Sequence, residues 1–309
     1  MPEQITTYDD AAAASLTRIS AACREGDGRE PLDEAARLHL RHHGLHDAAL
    51  WLSGSGFALL RRHASTHSSP APTDSRHHSG HGTERGGSRF ELDLAVAPDA
   101  RRTGQGAALL EAALTATDGP VTAWSHGDHP GAAALAARHG FRRTRELLVL
   151  ARPLGAASTG PHDPRIRTWR EEDADELLRV NAAAFAHHPE QGAMDRANLA
   201  ERMAEPWFDP AGLLVAVDPA GATTGRLLGF HWTKVHDNGH GEVYVVAVDP
   251  ASHGQGVGGA LLRAGLDHLA GAGCPAVHLY VEADNTTALA LYRGLGFTTD
   301  HAHVQYARP

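Results

Sequence analysis

The chain repeats one sequence pattern, and this repeat constrains the fold more than any other feature. Residues 96–106 and 248–258 both carry a Val-x-Pro lead-in and a Gly-x-Gly turn, and an Ala/Leu-rich segment follows each. Each copy later closes on Gly-Phe, at residues 140–141 and 296–297. A chain of 309 residues therefore contains two related domains of about 150 residues each, a usual domain size.

Hydrophobic periodicity predicts the same order of helices and strands in both halves. The predicted helices are Ala11–Cys23, Asp33–His43, Gly106–Thr117, Gly131–His139, Asp173–Phe185, Asp195–Ala204, Gly258–Leu269 and Thr286–Leu295. The predicted strands are Phe57–Arg61, Phe90–Val96, Val121–Trp124, Leu147–Leu150, Ile166–Trp169, Leu213–Val217, Leu228–Lys234, Glu242–Val248, Val277–Val281 and Val304–Tyr306. This alternation predicts an α/β fold, with a mixed sheet and helices on both faces in each domain.

Composition sets the predicted boundaries. Residues 154–164 are rich in Gly, Pro and Ser and are expected to link domain 1–153 to domain 165–309. Residues 62–89 hold Ser, His, Gly and Pro with almost nothing apolar, which is typical of a flexible insertion. Its histidines have no metal-ligand spacing, so we assign no metal to it.

Charge and cysteine content limit the classes of partner and the compartment that the protein is expected to have. A net charge of -9 argues against nucleic acid or an anionic membrane as the main partner. Two cysteines, one in each half, exclude a disulfide framework and fit a reducing compartment. No apolar leader or membrane-spanning run is apparent in the sequence. We therefore expect a soluble, cytoplasmic monomer that acts on a small molecule.

The turn between Val248 and the next helix is a candidate phosphate site. Alternate glycines allow a tight backbone turn that brings consecutive N–H groups to an anion. The start of the helix adds partial positive charge, so main chain alone can hold a pyrophosphate.

These residues, together with Asn285 and the Tyr292-x-x-x-Gly296-Phe297 helix end, resemble the GCN5-related N-acetyltransferase (GNAT) superfamily. The resemblance implies two tandem GNAT domains, each a mixed, mostly antiparallel sheet flanked by helices, and acetyl-CoA as cosubstrate. The first half matches the Arg-x-x-Gly-x-Gly form of the turn through Arg101, Gly104 and Gly106. The second half has His253 in place of the usual Arg or Gln, and since the contact is largely main chain, we expect binding to survive.

Acetyl transfer needs a base for the amine and an acid for the departing thiolate. Glu242 and Tyr292 occupy the positions at which the superfamily carries these groups. A gapless alignment through Val96 and Val248 places Phe90 opposite Glu242, and a second one through Gly140 and Gly296 places Ala136 opposite Tyr292. We therefore expect a catalytic second half and an inactive first half that could still hold CoA.

Three longer strings are more specific: residues 185–192, 228–236 and 241–245 continued by 279–285. They resemble the mycothiol synthase family, strongly over residues 165–309 and weakly in the first half. The resemblance implies acetyl transfer to the cysteine amine of 1D-myo-inositol 2-(L-cysteinylamino)-2-deoxy-α-D-glucopyranoside, giving mycothiol. It also implies substrate contacts. The residues it assigns to the substrate are Glu34, Glu190, Lys234, Glu242 and Tyr280.

The cofactor residues implied by the resemblance fall in corresponding places of both halves. Val246, Ala247 and Val248 are expected to pair with the pantetheine like an added strand. The pyrophosphate is assigned to His253, Gly254, Gln255, Gly256, Val257, Gly258 and Gly259. The residues expected to flank the pantetheine are Asn285, Thr286, Thr287, Ala288, Leu289 and Ala290. In the first half the corresponding residues are Leu94, Ala95, Val96, Arg102, Thr103, Gly104, Gln105, Gly106 and Ala107.

Two alternatives remain open on the sequence. One is an acetyltransferase of another small-molecule amine, such as an aminoglycoside or a polyamine, although Lys234 fits a polyamine pocket poorly. The other is a regulatory module that binds acetyl-CoA without turnover, which the presence of both Glu242 and Tyr292 disfavours. No metal is expected in any of these cases.

Overall fold

A computed structural model describes residues 1–63, 88–156, 163–186, 191–219 and 225–309. The chain forms two compact units: unit 1 comprises Met1–Glu146 and Ala302–Pro309, and unit 2 comprises Leu147–His301. The end of each repeat thus belongs to a different unit from the rest of that repeat. The domain boundaries predicted from the sequence, 1–153 and 165–309, describe the two repeats and stay a prediction. Most of the predicted insertion and part of the linker lie outside the described residues.

The α-helices of unit 1 are α1 (Asp10–Asp27), α2 (Glu34–His43), α3 (Gln105–Thr115) and α4 (Pro130–Arg138). Those of unit 2 are α5 (Ala174–Ala184), α6 (Arg196–Met203), α7 (Val257–Gly271) and α8 (Thr286–Gly294). The strands are β1 (Glu3–Ile5), β2 (Ala48–Ser53), β3 (Gly56–His63), β4 (Arg89–Val96), β5 (Val121–Ser125), β6 (Arg142–Pro153), β7 (Ile166–Thr168), β8 (Leu213–Val217), β9 (Leu227–Val235), β10 (Gly241–Val248), β11 (Ala276–Glu282) and β12 (Thr298–Arg308).

Side-chain caps explain where several helices begin. Asp9, Asp33 and Asp195 each accept a hydrogen bond from a backbone N–H in the first turn of the following helix. Asn285 does the same for α8, from Ala288 N–H at 3.1 Å. These short polar side chains satisfy donors that the helix itself leaves free.

The sheet of unit 1 has the strand order β1-β2-β3-β4-β5-β12. All neighbours are antiparallel except β4 and β5, which run parallel. The β3–β4 register is continuous from Gly56–Val96 to His63–Arg89. The far end of the sheet is closed by residues 304–308 of β12, paired with β5.

The sheet of unit 2 has the order β6-β11-β10-β9-β8-β7, and again only one neighbouring pair, β10 and β11, is parallel. Its β9–β10 register shifts between Val243 and Val245, which makes Tyr244 the extra residue of a β-bulge. The bulge changes which face of the sheet the side chains occupy. Val243 packs in the core cluster that contains Tyr292 of α8, whereas Val245 packs in the cluster that contains Leu177 of α5.

Each unit buries helices against both faces of its sheet. In unit 1, Ile19 of α1 packs with Leu59, and Leu109 of α3 packs with Leu60 from the opposite face. In unit 2, Val215 packs with α5 and Leu214 packs with α7. This alternation confirms the predicted fold class of mixed sheets flanked by helices. No helix among the described residues is both long enough and apolar enough to cross a membrane.

Candidate active site

The predicted phosphate turn of unit 2 is an open backbone cradle. Gly254 and Gly256 have φ of +78° and +74°, and a Cβ at either position would meet no atom within 4 Å. Gly256 precedes α7 without a side-chain cap, and Ala260 N–H donates to its carbonyl at 3.1 Å. The N–H groups of residues 257–259 are therefore free of helical partners and directed at the turn. The cradle can hold an anion through main chain alone.

A gap between β10 and β11, here called the wedge, opens beside the bulge. The two strands pair only through Gly241–Val243 and Val277–Leu279. Beyond these pairs, β10 pairs with β9 and β11 pairs with β6. Among the described residues, no strand pairs with the edge of residues 245–248 that faces β11. An extended ligand could add to this edge in the way a strand does.

Glu242 lies at the closed end of the wedge and is 6% exposed. His236 Nε2 contacts its Oε2 at 2.7 Å, and His278 Nε2 lies 3.8 Å from the same oxygen. Oε1 has no hydrogen-bond partner among the described side chains and backbone. In the register of the sheet, Glu242 lies between Lys234 and His278.

The electrostatics of the site keep Glu242 ionised. Burial by itself would raise the pKa of this carboxyl. The hydrogen bond from His236 and the favourable electrostatic interactions with His278, His236 and Lys234 outweigh burial, so the pKa lies below its ordinary value. Burial holds the pKa of His278 below its usual range, against the attraction of Glu242. Glu242 is therefore a buried carboxylate with one oxygen available to accept a proton.

Aromatic rings hold Lys234 in place. Its Nζ lies 4.3 Å from the centre of the Trp207 ring and 5.2 Å from that of Tyr244, and the residue is buried. On the neighbouring strand, Tyr280 is 45% exposed and its ring contacts His278 edge to face at 5.7 Å. The pairing of Glu242 with Lys234 and His278, and alternation along β11, put Lys234, His278 and Tyr280 on the face that carries Glu242.

Tyr292 approaches from the other face of the sheet. It is 6% exposed, packs against Phe297 with ring centres 5.9 Å apart, and shares a core cluster with Val243. Burial raises its pKa to about 12, so the hydroxyl is protonated at neutral pH. Because Glu242 and Val243 point to opposite faces, the wedge is where groups from both faces can meet one ligand.

The strand register revises the correspondence between the two halves. Phe90 and Glu91 pair with Val121 and Thr122 as Gly241 and Glu242 pair with Val277 and His278. Glu91, not Phe90, is thus the structural counterpart of Glu242. The gapless alignment was wrong here because the bulge inserts one residue into β10 alone.

Glu91 lies in a different environment from Glu242. Its carboxylate is 3.0 Å from the buried Arg61 guanidinium, which also contacts Asp93 at 3.1 Å. At the position corresponding to Tyr292, α4 carries a buried Ala136. Unit 1 therefore retains the carboxylate, bound in an ion pair, and lacks the hydroxyl.

The turn of unit 1 keeps the backbone shape but not the open surroundings. Arg102 and Gly104 have φ of +65° and +89°, as Gly254 and Gly256 do in unit 2. Arg101 turns inward: it contacts Asp27 through two nitrogens at 2.8 and 2.5 Å and donates from Nε to Val96 O at 2.9 Å. A carbonyl at the end of β4 is thereby occupied by the protein itself.

The structure brings Lys234, Glu242 and Tyr280 onto one face of unit 2. Glu34 is the first residue of α2 in unit 1 and is half-buried. Glu190 lies outside the described residues. The substrate and cofactor contacts of all these residues stay predictions.

Sequence reasoning assigned no role to His236, His278, Trp207 and Tyr244. For His278 a signal existed, because strand alternation and the parallel β10–β11 pairing place it beside Glu242. For His236 no periodicity applies, since it lies in the hairpin turn after β9.

The donor atoms of His236, Glu242 and His278 lie within 4.8 Å of one another, and Zn²⁺ accepts such ligands. Two ligands at about 2.1 Å from a tetrahedral zinc would be about 3.4 Å apart. The 2.7 Å contact between His236 and Glu242 is instead a hydrogen bond. We interpret the cluster as a proton-binding network, and the expectation of a metal-free reaction stays a prediction.

Comparison with known proteins agrees with this geometry. The profile of the acetyltransferase (GNAT) family matches residues 170–297. Among solved structures, a tandem GNAT protein from the clavulanic acid biosynthesis pathway superposes with a TM-score of 0.71 at 19% identity, over 100% of this chain and 98% of its own. A GCN5-related N-acetyltransferase from Sphaerobacter thermophilus gives 0.67 at 21% identity, over 99% and 95%. These similarities show the tandem GNAT fold.

Curated relatives cover nearly the whole chain. The mycothiol acetyltransferase of Nocardioides sp. (strain ATCC BAA-499 / JS614) is 48% identical over 97% of this chain and 100% of its own. That of Catenulispora acidiphila is 43% identical over 96% of each. The chain is thus an acetyl-CoA-dependent N-acetyltransferase and belongs to the mycothiol acetyltransferase family.

Proposed function

We propose that unit 2 transfers the acetyl group of acetyl-CoA to the cysteine amine of 1D-myo-inositol 2-(L-cysteinylamino)-2-deoxy-α-D-glucopyranoside, giving mycothiol. The observation that carries the proposal is the coincidence, in unit 2, of an open anion cradle, a strand wedge and an ionised, buried Glu242. The names of the curated relatives support the identity of the acceptor. Unit 1 acts as a non-catalytic repeat.

The acceptor amine and Glu242 are matched for proton transfer. An α-amino group has an ordinary pKa near 7.7–8.0, so part of it is neutral at neutral pH. Glu242 Oε1 takes the proton of the ammonium form. The nitrogen lone pair then forms the C–N bond to the thioester carbon as the C–S bond breaks, and the new amide nitrogen releases its surplus proton to solvent.

The leaving thiolate of CoA takes its proton from Tyr292. The tyrosine is the proton donor in this scheme because burial keeps it protonated, with a pKa of about 12. The charge that develops on sulfur is neutralised as the bond breaks, which lowers the barrier to departure.

The cosubstrate is held mainly by backbone. The pyrophosphate binds at Gly254–Gly259, and the pantetheine pairs with the free edge of Val246–Val248 in the wedge. Asn285–Ala290 of α8 flank the pantetheine. This binding mode explains why His253 can replace a basic residue at the turn.

The acceptor lies on the face that carries Glu242. Its sugar and inositol hydroxyls call for charged and polar partners, and Lys234 and Tyr280 supply these from β9 and β11. Glu190 and Glu34 complete the proposed set. Lys234 is fixed in place by Trp207 and Tyr244, so ordering this side chain costs little on binding.

Single-turnover acetylation of the cysteinyl acceptor tests the proposal. Glu242→Gln and Tyr292→Phe should each slow acetyl transfer by about 10² or more. Tyr306→Phe, which removes a tyrosine hydroxyl bound to Asp128 in unit 1, should keep the wild-type rate. Full activity of both Glu242→Gln and Tyr292→Phe would refute the mechanism.

A second comparison tests the acceptor. The wild type should acetylate the cysteinyl compound and leave its precursor without cysteine, an aminoglycoside and spermidine almost unchanged. Preferential turnover of one of the other amines would assign a different acceptor to the same site.

A further inference from the structure

The two oxygens of Glu242 have different environments. Oε2 is 2.7 Å from His236 Nε2 and 3.8 Å from His278 Nε2. Oε1 has no partner among the described residues, and it is not among the polar atoms sealed from solvent. The carboxylate is thus held on one side and open on the other.

We propose that His236 is a positioning residue that donates its Nε2–H to Oε2 of Glu242, fixes the carboxylate in its ionised form and leaves Oε1 for the ammonium of the acceptor. This inference rests on the function proposed above. It assigns a role to a residue that does not itself touch the reacting atoms.

The physical need for such a donor follows from burial. A carboxyl group as enclosed as that of Glu242 favours its neutral form unless hydrogen bonds or positive charges compensate. A neutral Glu242 could not accept a proton from the acceptor. Within the described residues, His236 is the one hydrogen-bond donor to this carboxylate.

The location of His236 suits the role. It follows β9 in a tight hairpin turn, where its N–H donates to His240 O at 2.9 Å and its carbonyl accepts from Gly239 N–H at 2.8 Å. The backbone is therefore fixed, while the side chain is 32% exposed. One edge of the imidazole binds the buried oxygen, and the ring keeps contact with solvent.

The other charged groups around Glu242 assist without replacing His236. Lys234 on β9 and His278 on β11 both act on the carboxylate through space. His240 and His301 lie near enough to influence His278. His278 is too distant for a hydrogen bond at 3.8 Å, and its ring lies 5.1 Å from that of His236.

The test is the pH dependence of kcat and of the acceptor KM for three variants. His236→Leu removes the donor, His236→Gln keeps a neutral N–H donor, and His240→Gln changes an exposed histidine of the same hairpin. A charged hydrogen bond of ordinary strength corresponds to roughly tenfold to a hundredfold in rate. His236→Leu should lose that much of kcat at pH 6 with little change in acceptor KM.

The sign of the pH effect is fixed by the chemistry. Removing a group that favours the carboxylate raises the pKa of Glu242, so the acid limb of kcat moves to higher pH. The defect of His236→Leu should therefore shrink as the pH rises. His236→Gln should recover most of kcat at high pH, and the acid limb of its kcat should lie between those of the wild type and His236→Leu. His240→Gln should match the wild type.

Two outcomes would overturn the inference. A wild-type pH profile for His236→Leu would show that Glu242 needs no donor. An equal loss at every pH, in a variant with the wild-type melting temperature, would indicate a role in shape alone. Since Glu242→Gln tests the base itself, either result would leave the proposed function standing, whereas an active Glu242→Gln would remove both.

Discussion

Units 1 and 2 share a central strand, a glycine turn and the helix that follows it. They differ in what the side chains on the strand and the turn contact. In unit 2 the central carboxylate faces an open wedge beside a bulge, whereas in unit 1 its counterpart Glu91 is bound to Arg61 in an unbulged strand. The turn of unit 2 begins with an exposed His253, and that of unit 1 begins with Arg101, which is bound to Asp27. The comparison indicates how a site can be lost. In unit 1 its polar side chains form ion pairs with other protein residues, while the backbone of the strand and the turn keeps its shape.

The carboxylates give the largest contrast. Glu242→Gln should lower the single-turnover rate by about 10² to 10⁴, the usual contribution of a positioned base. Glu91→Gln should leave the rate unchanged and lower the melting temperature, because it leaves the buried Arg61 with one partner fewer. Stopped-flow acetylation and thermal unfolding measure the two effects. A rate loss in Glu91→Gln as large as in Glu242→Gln would show that unit 1 is catalytic.

The hydroxyl of Tyr292 in α8 should give the second-largest effect. Tyr292→Phe keeps the packing against Phe297 and should lower kcat by about 10². Because the pKa of Tyr292 is about 12, this group loses its proton only above that value, and the wild-type kcat should show no alkaline limb from it below about pH 11. A tyrosine-dependent limb near pH 9, present in the wild type and absent from Tyr292→Phe, would contradict the buried, protonated state.

The cradles offer a matched pair of glycines. Gly256→Ala and Gly104→Ala each place a Cβ in open space at positive φ, which costs about 1–2 kcal/mol of strain in either unit. Only Gly256→Ala should raise the KM for acetyl-CoA, by about tenfold, since that strain corresponds to roughly this factor. Steady-state kinetics with similar melting temperatures would establish the contrast. Equal KM values for both variants would remove the functional distinction between the turns.

The residues that open the two turns should give the smallest effects. Arg101→Gln removes charged hydrogen bonds to Asp27 and should cost about 1–2 kcal/mol, which lowers the melting temperature of a unit this size by roughly 2–8 °C. His253→Gln should change the KM for acetyl-CoA by less than about threefold, because main chain holds the pyrophosphate. A larger change would assign His253 a direct contact with the cosubstrate.

The regular parts of the fold could be predicted because they depend on local pattern. The amphipathic helices follow from their periodicity, and the turns follow from their glycines. Strands β8 and β9 follow from apolar runs that are buried along almost their whole length. β1 was missed because Glu3–Ile5 is three residues long and contains a single apolar residue. β2 was missed because both faces of Ala48–Ser53 are partly buried, so apolar and polar residues do not alternate along it.

The candidate site depends on contacts that the sequence does not encode locally. The bulge at Tyr244 arises from pairing with β9, so a gapless comparison of the repeats could not locate Glu91. Lys234 could be placed at a strand end but not under Trp207, because that ring comes from a distant segment. His236 lies in a turn, where no periodicity reports the direction of a side chain.

The exchange of terminal strands affects how the protein can be made and dissected. Unit 1 contains Ala302–Pro309, so during synthesis its sheet stays incomplete until these residues have been translated. Unit 2, in contrast, uses Leu147–Pro153, which is translated before the rest of that unit. An expression boundary at residues 154–164 would leave each half without the strand that completes it. A truncation that removes Ala302–Pro309 therefore acts first on the unit that is built mainly from Met1–Glu146.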